Sequence, residues 1–379
     1  MSKILIAGDC VPTKTNQKLF IDGNIKGLFG EEIINLFKES ELSMINLEVS
    51  LTKNSTPALK RGQINTADPE CCSALNLLGV DLCLLANNHV IDNGREGLES
   101  TISTLNKYNI NYIGAGLNSY DSLRTFKTTI NNKTIKIINI SDNEFNDIRE
   151  YGYGVHVYDP LETFDYIECC KKDADYLIIV FHGGIEHYRY PTPKLQKICR
   201  KMVDKGADLV TCQHSHCVGT YEEYKGKKIF YGQGNFIFDE DDEDMHKTAI
   251  LLEIDVNNNF EINIIPVLKK QECVRIADSI NAKEILSSIE IRKLEIQNSN
   301  KLEELFNKLC LDKKKEYYNV LLCYNKTLKI LNKLSIGYLY KCMFNQFNCM
   351  RIQNVMESNA LYEVMLGVLK REGRLNGKR

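Results

Sequence analysis

The sequence predicts an α/β layered fold followed by a mostly helical C-terminal region. Two observations carry this. Short apolar runs alternate with segments of helical period from residue 1 to about 212. From about 270 onward glycine nearly vanishes, while Lys, Glu, Leu and Ile recur at helical spacing. The runs "KILIAG" (3–8), "SMINLE" (43–48), "DLCLLAN" (81–87), "YLIIVFH" (176–182) and "DLVTCQH" (208–214) read as buried strands. A strand covered on both faces needs a nearly continuous apolar run rather than alternation. Amphipathic segments at 30–39, 69–78, 95–108 and 192–205 lie between them and read as helices. "LRTFKTTINNKTIKIINI" (123–140) reads as a hairpin turning at Asn131-Asn132. "GTYEEYKGKKIFYGQGNFIF" (219–238) reads as a second, turning at Lys225-Gly226, with further strands at 249–256 and 260–268. The expected division is 1–270 for the α/β part and 271–379 for the helical part, helices filling 278–379. Within it, the aromatic segment 335–350 reads as a core-facing helix, with a lid or interface as the other reading.

Composition narrows the classes of function. Over 379 residues, 43% are apolar and 26% charged, the balance of an ordinary globular protein. The net charge of −2 gives no bulk attraction to nucleic acid, so no nucleic-acid partner is expected. No stretch of about 18 uncharged apolar residues occurs, so no intrinsic membrane span is expected. "MSKILIAGDC" is too short an apolar run for an export signal. Many of the 14 cysteines interrupt apolar runs, which reads as reduced, buried thiols in a cytoplasmic protein.

The polar residues fall in a pattern. Five candidate strands end in groups able to bind a metal or move a proton. These are Asp9, then Glu48, then Asn87, Asn88 and His89, then His182, and finally His214 and His216. One such residue caps a strand; five in succession suggest one shared site, since ligand sites of α/β sheets lie at the carboxyl ends of strands. Two carboxylates, an amide oxygen and several imidazoles make a mixed O/N shell suited to Mn, Fe, Zn or Co. The set exceeds what one tetrahedral ion needs and suits two divalent ions sharing a carboxylate. His214 and His216, two apart on extended chain, are expected to point the same way. A zinc module confined to "TCQHSHC" (211–217) lacks the two separated ligand pairs such modules use.

"GDC", "NLE", "LANNHVIDNGREGL", "FHGGIEH" and "GADLVTCQHSHCVGTYEEYKGKKIFYGQGNFIFD" occur in this order over roughly 3–240. Together they resemble the motifs of the CapA family, the capsule and poly-γ-glutamate synthesis proteins of the calcineurin-like metallophosphoesterase superfamily. The resemblance implies a metallophosphatase-like α/β/β/α fold carrying two divalent transition-metal ions. It implies one ion held by Asp9, Glu48 and His216, and a second by Glu48, Asn88, His182 and His214, with Glu48 as bridge. His89 would then face the substrate as a proton donor, oriented by Asp92. A capsule or polymer precursor is the implied substrate, and membrane-bound polymer synthesis proteins are the implied partners.

The sequence also departs from the pattern. Val11 stands where the wider superfamily has His two after the first Asp, and Glu48 where it has Asp. Gly183, His187 and Gln213 replace a usual Trp, Tyr and His of the CapA-like branch.

Glu186 reads as a supporting or catalytic carboxylate, or as a solvated loop residue. His187 and Asn235 read as substrate contacts, as does Asn87, and "YGQGNFIFD" as the floor of the site or as a purely structural β-turn. The acidic run at 239–246 reads as a solvated loop, with a peripheral metal site as the other reading, and His156 and His246 as single surface or core histidines. Two functions follow: a metal-dependent hydrolase of a phosphoester or envelope-polymer bond, or a non-catalytic part of a polymer synthesis or export complex.

Overall fold

Strand β1 (Lys3–Val11) lies at the centre of the first sheet, and nearly all of it is buried. The computed structural model describes residues 2–369 apart from 55, 59–61, 145–146, 149–151, 239–243, 271, 322–325, 358–360, 363 and 366–368. Beside β1 run the parallel strands β2 (Leu42–Leu47), β3 (Leu82–Leu84) and β4 (Asn111–Ile113). A second sheet is built from β5 (Phe126–Ile130), β6 (Lys133–Ser141), β7 (Tyr176–His182), β8 (Leu209–Gln213), β9 (Tyr221–Tyr224) and β10 (Lys227–Phe230). Its spatial order is β9-β10-β8-β7-β6-β5, parallel at its centre. The chain then returns to the first sheet as β11 (Asn235–Phe238), β12 (Thr248–Asp255), β13 (Glu261–Lys270) and β14 (Cys273–Ile276).

Side-chain alternation makes these sheets into layers. Leu5 and Ala7 of β1 face one way, into a core with Leu28, Phe29, Ile33, Leu75 and Leu98. Those partners come from helices α2 (Ile25–Glu39), α3 (Cys72–Leu78) and α4 (Gly94–Lys107), which follow the short α1 (Gln17–Ile21). Ile4 and Ile6 face the other way and meet Ile137, Ile178, Val180 and Leu209 of the second sheet. The far side of that sheet, Ile138, Ile179 and Val210, packs on Ile167, Cys199 and Met202. These come from α5 (Thr163–Lys171) and α6 (Pro193–Asp204). The order is helix, sheet, sheet, helix, the expected α/β/β/α layering. Two faces at period 2, each covered, explain why the strands read as unbroken apolar runs.

Local chemistry places the ends. Thr192 caps α6, its side chain accepting from the Leu195 N–H with Pro193 at the first turn, and α3 stops at Gly79 in the left-handed conformation. Asn131 and Asn132 turn the first hairpin with φ of 49° and 56°. Lys225 and Gly226 turn the second, but its return arm ends at Phe230. Gly232 and Gly234 then bend the chain, at φ of 139° and 76°, so that 235–238 crosses to pair with β1 rather than extending the hairpin.

The described cysteines are all free, and the buried Cys199 and Cys212 sulfurs stand 3.7 Å apart as thiols.

The first compact unit extends past residue 270, to Leu302. Strand β14 pairs with β13, and α7 (Ser279–Gln297) buries Ile285 and Ile289 between the sheets. Its glycine-poor composition made it look like part of the appendage. The buried Arg292 donates to the carbonyls of Gly219 (2.9 Å) and Val218 (3.3 Å), which ties α7 to the loop after His216. Burial and the neighbouring Arg189 pull its guanidinium down to about 10.

The second unit, 303–379, contains most of α8 (Ser299–Leu321), then α9 (Lys326–Leu334), α10 (Tyr338–Met343) and α11 (Gln346–Glu357). The single core-facing helix expected over 335–350 is not formed. Ile336 and Gly337 adopt left-handed φ of 52° and 81°, and Asn345 starts a new helix by accepting from the Asn348 N–H. Ile336, Tyr338 and Phe347 are exposed there.

Candidate metal centre

The carboxyl ends of β1, β2, β3, β7 and β8 meet at one edge of the paired sheets. Asp9 sits at an irregularity where β1 changes partner from β12 to β11, so its carboxylate leaves the regular pleat. Asn46, in β2, donates to Asp9 Oδ1 at 2.8 Å and lies 3.2 Å from His182 Nδ1. That contact fixes the His182 ring with Nε2 toward the cluster. Glu48 follows β2 and is fully buried; its Oε1 lies 3.5 Å from His182 Nε2, 3.9 Å from His216 Nε2 and 4.0 Å from His89 Nε2.

After β3 the chain makes a tight turn. The side-chain oxygen of Asn87 accepts from the N–H groups of His89 (3.1 Å) and Val90 (2.9 Å). Its amide donates to Asn46 Oδ1 and the Leu47 carbonyl. Fully buried, Asn87 therefore supports the loop from beneath instead of presenting itself to a substrate. Asn88 points the other way, its Oδ1 3.0 Å from His182 Nε2. His89 Nδ1 lies 2.7 Å from Asp92 Oδ2, which also accepts from the Asn65 N–H at 2.6 Å. Asp92 thereby locks the imidazole with Nε2 toward Glu48.

His214 and His216 do not lie on extended chain. β8 ends at Gln213, and both histidines take left-handed φ, 93° and 53°. Their rings still converge, with centroids 5.9 Å apart. The His214 N–H donates to Asp9 Oδ2, and its Nδ1 lies 3.1 Å from His182 Nε2. His216 Nδ1 lies 2.8 Å from Asn235 Oδ1, which leaves Nε2 toward Glu48. Asn235, 1% exposed, thus holds a ring from behind. Non-glycine residues in this conformation cost about 1–3 kcal/mol each and persist where surrounding contacts fix them.

Ligand atoms gather into two triads, Asp9 with Glu48 and His182, and Glu48 with His214 and His216. Glu48 is common to both. The histidines are shared out differently from the expected assignment, which paired His216 with Asp9 and His182 with His214. Both of those contacts also exist, at 3.5 and 3.1 Å, so the two groups interlock. Burial, reinforced by the charges of His214, His216 and His89, pushes the His182 imidazole well below its ordinary value. A neutral imidazole beside carboxylates is the form in which such a group holds a divalent cation. The donor set fits one.

The remaining expected residues lie around this cluster. Glu186 is exposed in a turn, and among the described residues no hydrogen bond or ion pair joins it to the cluster. His187 stands nearer, its ring 6.1 Å from that of His216, with left-handed φ of 60°. Gln213 donates to the Ala7 carbonyl and to Gln233, a purely internal role. A side chain at Gly183 would press on Asp142 and the Phe181 ring.

Three residues escaped sequence reasoning. Asn46 is a polar residue inside an apolar strand. Glu144 follows the end of β6, its oxygens 3.4 Å from His214 Nε2 and 3.2 Å from Asn88 Nδ2. Burial opposes its ionisation, but His214 and Asn88 outweigh that and lower its carboxyl. The rule that found the other five strand ends applies equally to "NISDNE". His246, read as a single histidine, is buried with Nε2 2.7 Å from His187 Nδ1. The first part of the acidic run, 239–243, lies outside the described residues.

A sequence profile described as bacterial capsule synthesis protein PGA_cap matches residues 3–240, every cluster residue included. The chain belongs to that family. As a member it is 28% identical over 266 residues to the PGA biosynthesis protein CapA of Bacillus subtilis strain 168, covering 67% of this chain and 69% of that protein. It is 28% identical over 181 residues to the capsule biosynthesis protein CapA of Bacillus anthracis, covering 46% of this chain and 44% of that one. It is 27% identical over 214 residues to a probable polyglutamine synthesis accessory protein of Mycobacterium tuberculosis, covering 53% and 56%. Among solved structures, a hypothetical protein of Thermus thermophilus aligns at a TM-score of 0.45 and 13% identity, over 71% of this chain and 99% of its own. A 5'-nucleotidase from Candida albicans aligns at 0.39 and 10%, over 82% and 58%.

Proposed function

We propose that this capsule-synthesis family member is a dinuclear-metal-dependent hydrolase acting on a phosphoester or an envelope-polymer bond. The observation that carries the reading is the placement of Glu48. Its buried carboxylate belongs to two ligand groups at once, as a residue bridging two cations must. Asp9, His182, His214, His216 and the Asn88 amide oxygen complete the proposed shell. Bound Mn, Fe or Zn would supply Lewis acidity and neutralise charge on the reacting group.

The chain's own residues do the rest. His89, held by Asp92, stands beside the shell and donates a proton to the departing oxygen. Glu144 and the His187–His246 pair flank the cluster and meet the substrate's polar groups. Free thiols, most of the described ones buried, fit a reducing compartment, so we place the protein in the cytoplasm, working on a capsule or polymer precursor alongside membrane-bound synthesis proteins. Among the described residues no helix is long and apolar enough to cross a membrane. The test is turnover of a generic phosphoester by purified protein supplied with Mn. Hydrolysis that chelator abolishes and Mn restores supports the reading; metal-loaded protein with no turnover on phosphoester or polymer substrates sinks it.

A further inference from the structure

Charge along the chain is strongly uneven. The unit 303–379 carries 14 Lys and Arg against 7 Asp and Glu, a net of +7, within a chain whose total is −2. Between 305 and 353 the imbalance is steeper, nine cations against Asp312 and Glu316. The same stretch exposes large apolar side chains. On α9, Ile330 is 60% and Leu334 75% exposed; beyond it Ile336 is 96%, Tyr338 68% and Phe347 63% exposed.

The two features share one helix. In "KTLKILNKL", Lys326, Lys329 and Lys333 fall on one side of α9 at helical spacing, while Leu331 and Leu334 fall on another. No residue of α9 is buried. A basic face beside an exposed apolar face is the pattern of a helix lying in a membrane interface.

We infer that the helical unit 303–379 docks on an anionic membrane surface, with α9 and the α10–α11 segment as its interfacial elements. The occupant is fixed by charge. A second copy of this unit would bring +7 against +7, and an apolar protein groove would have no use for nine cations. Anionic lipid headgroups match the lysines, and the acyl boundary takes Ile330, Leu334, Ile336 and Phe347. None of these residues belongs to the metal centre, and the proposal does not depend on the hydrolase reading.

The experiment is flotation of the full chain with vesicles of phosphatidylcholine alone or with about a third phosphatidylglycerol. Binding is expected only to the anionic vesicles and is expected to weaken as salt rises to about 0.5 M. Replacing Lys326, Lys329 and Lys333 by Gln should weaken it by about a hundredfold, each lysine being worth roughly fivefold near an anionic surface. Leu331→Ser with Leu334→Ser should also weaken it, with metal content unchanged as the control for folding. Binding that ignores lipid charge, binding that survives both variants, or no binding at all overturns the proposal. So does a stable dimer that the leucine variant converts to monomer, because the face would then be covered by protein.

Discussion

At the scale of single residues, groups that would hold metal are distinct from groups that hold those groups in place. His89 belongs to neither class: its Nδ1 is taken by Asp92, and its Nε2 stays 4.0 Å from Glu48. His89→Asn should reduce turnover by about 10²–10⁴-fold while metal content stays at the wild-type level. Rate, metal content and melting temperature measured on one preparation decide it; unchanged rate with a lowered melting temperature would show that His89 only packs. Asn235 makes the opposite prediction. Because it holds His216 Nδ1 from behind, Asn235→Ala should weaken metal affinity by about 10–100-fold, read by titration against a competing chelator. Affinity equal to wild type would return Asn235 to the substrate-contact role first expected of it. Most cluster residues were legible because each ends an apolar run. Asn46 was not, since a polar residue inside a buried strand has no sequence signature apart from its hydrogen bonds. His246 was hidden because its partner, His187, lies 59 residues away.

At the scale of elements, the site depends on how closely β1, β11 and β12 approach. A methyl group on Gly8 would run into the carbonyl of Gly234, and one on Gly234 would come within 2.6 Å of the Thr248 carbonyl while Gly234 holds φ of 76°. Gly234→Ala should therefore destabilise by about 1–3 kcal/mol, visible as a lower denaturant midpoint with an unchanged slope. A midpoint equal to wild type would mean the strands can spread without cost. The sequence rules worked where period and turn chemistry agree, as at Asn131-Asn132. They failed where two glycines redirect the chain between sheets, because "YGQGNFIF" has the composition of a hairpin arm. They failed again at 214–216, where strand alternation was extended into residues whose backbone is left-handed.

At the scale of the whole molecule, the layer order followed from the β-then-α rhythm, but the boundary at 270 did not hold. Helix α7 belongs to the first unit because Ile285, Ile289 and Arg292 bury themselves against it, and helical period alone does not say what a helix covers. A chain cut after Leu302 should fold cooperatively and keep the metal content of the full protein, checked by circular dichroism and elemental analysis. A chain cut after residue 270 should lose both cooperativity and solubility, since the apolar surface under α7 would be open to water. The functional reading rests on one buried carboxylate, Glu48, joining two ligand groups into a single centre. Metal stoichiometry of wild type against Glu48→Ala, with thermal unfolding run on both, puts that joint role to the test. Wild type should hold up to two divalent ions per chain, and the variant should lose nearly all of both. Glu48→Ala protein that is folded and binds as much metal as wild type would contradict it.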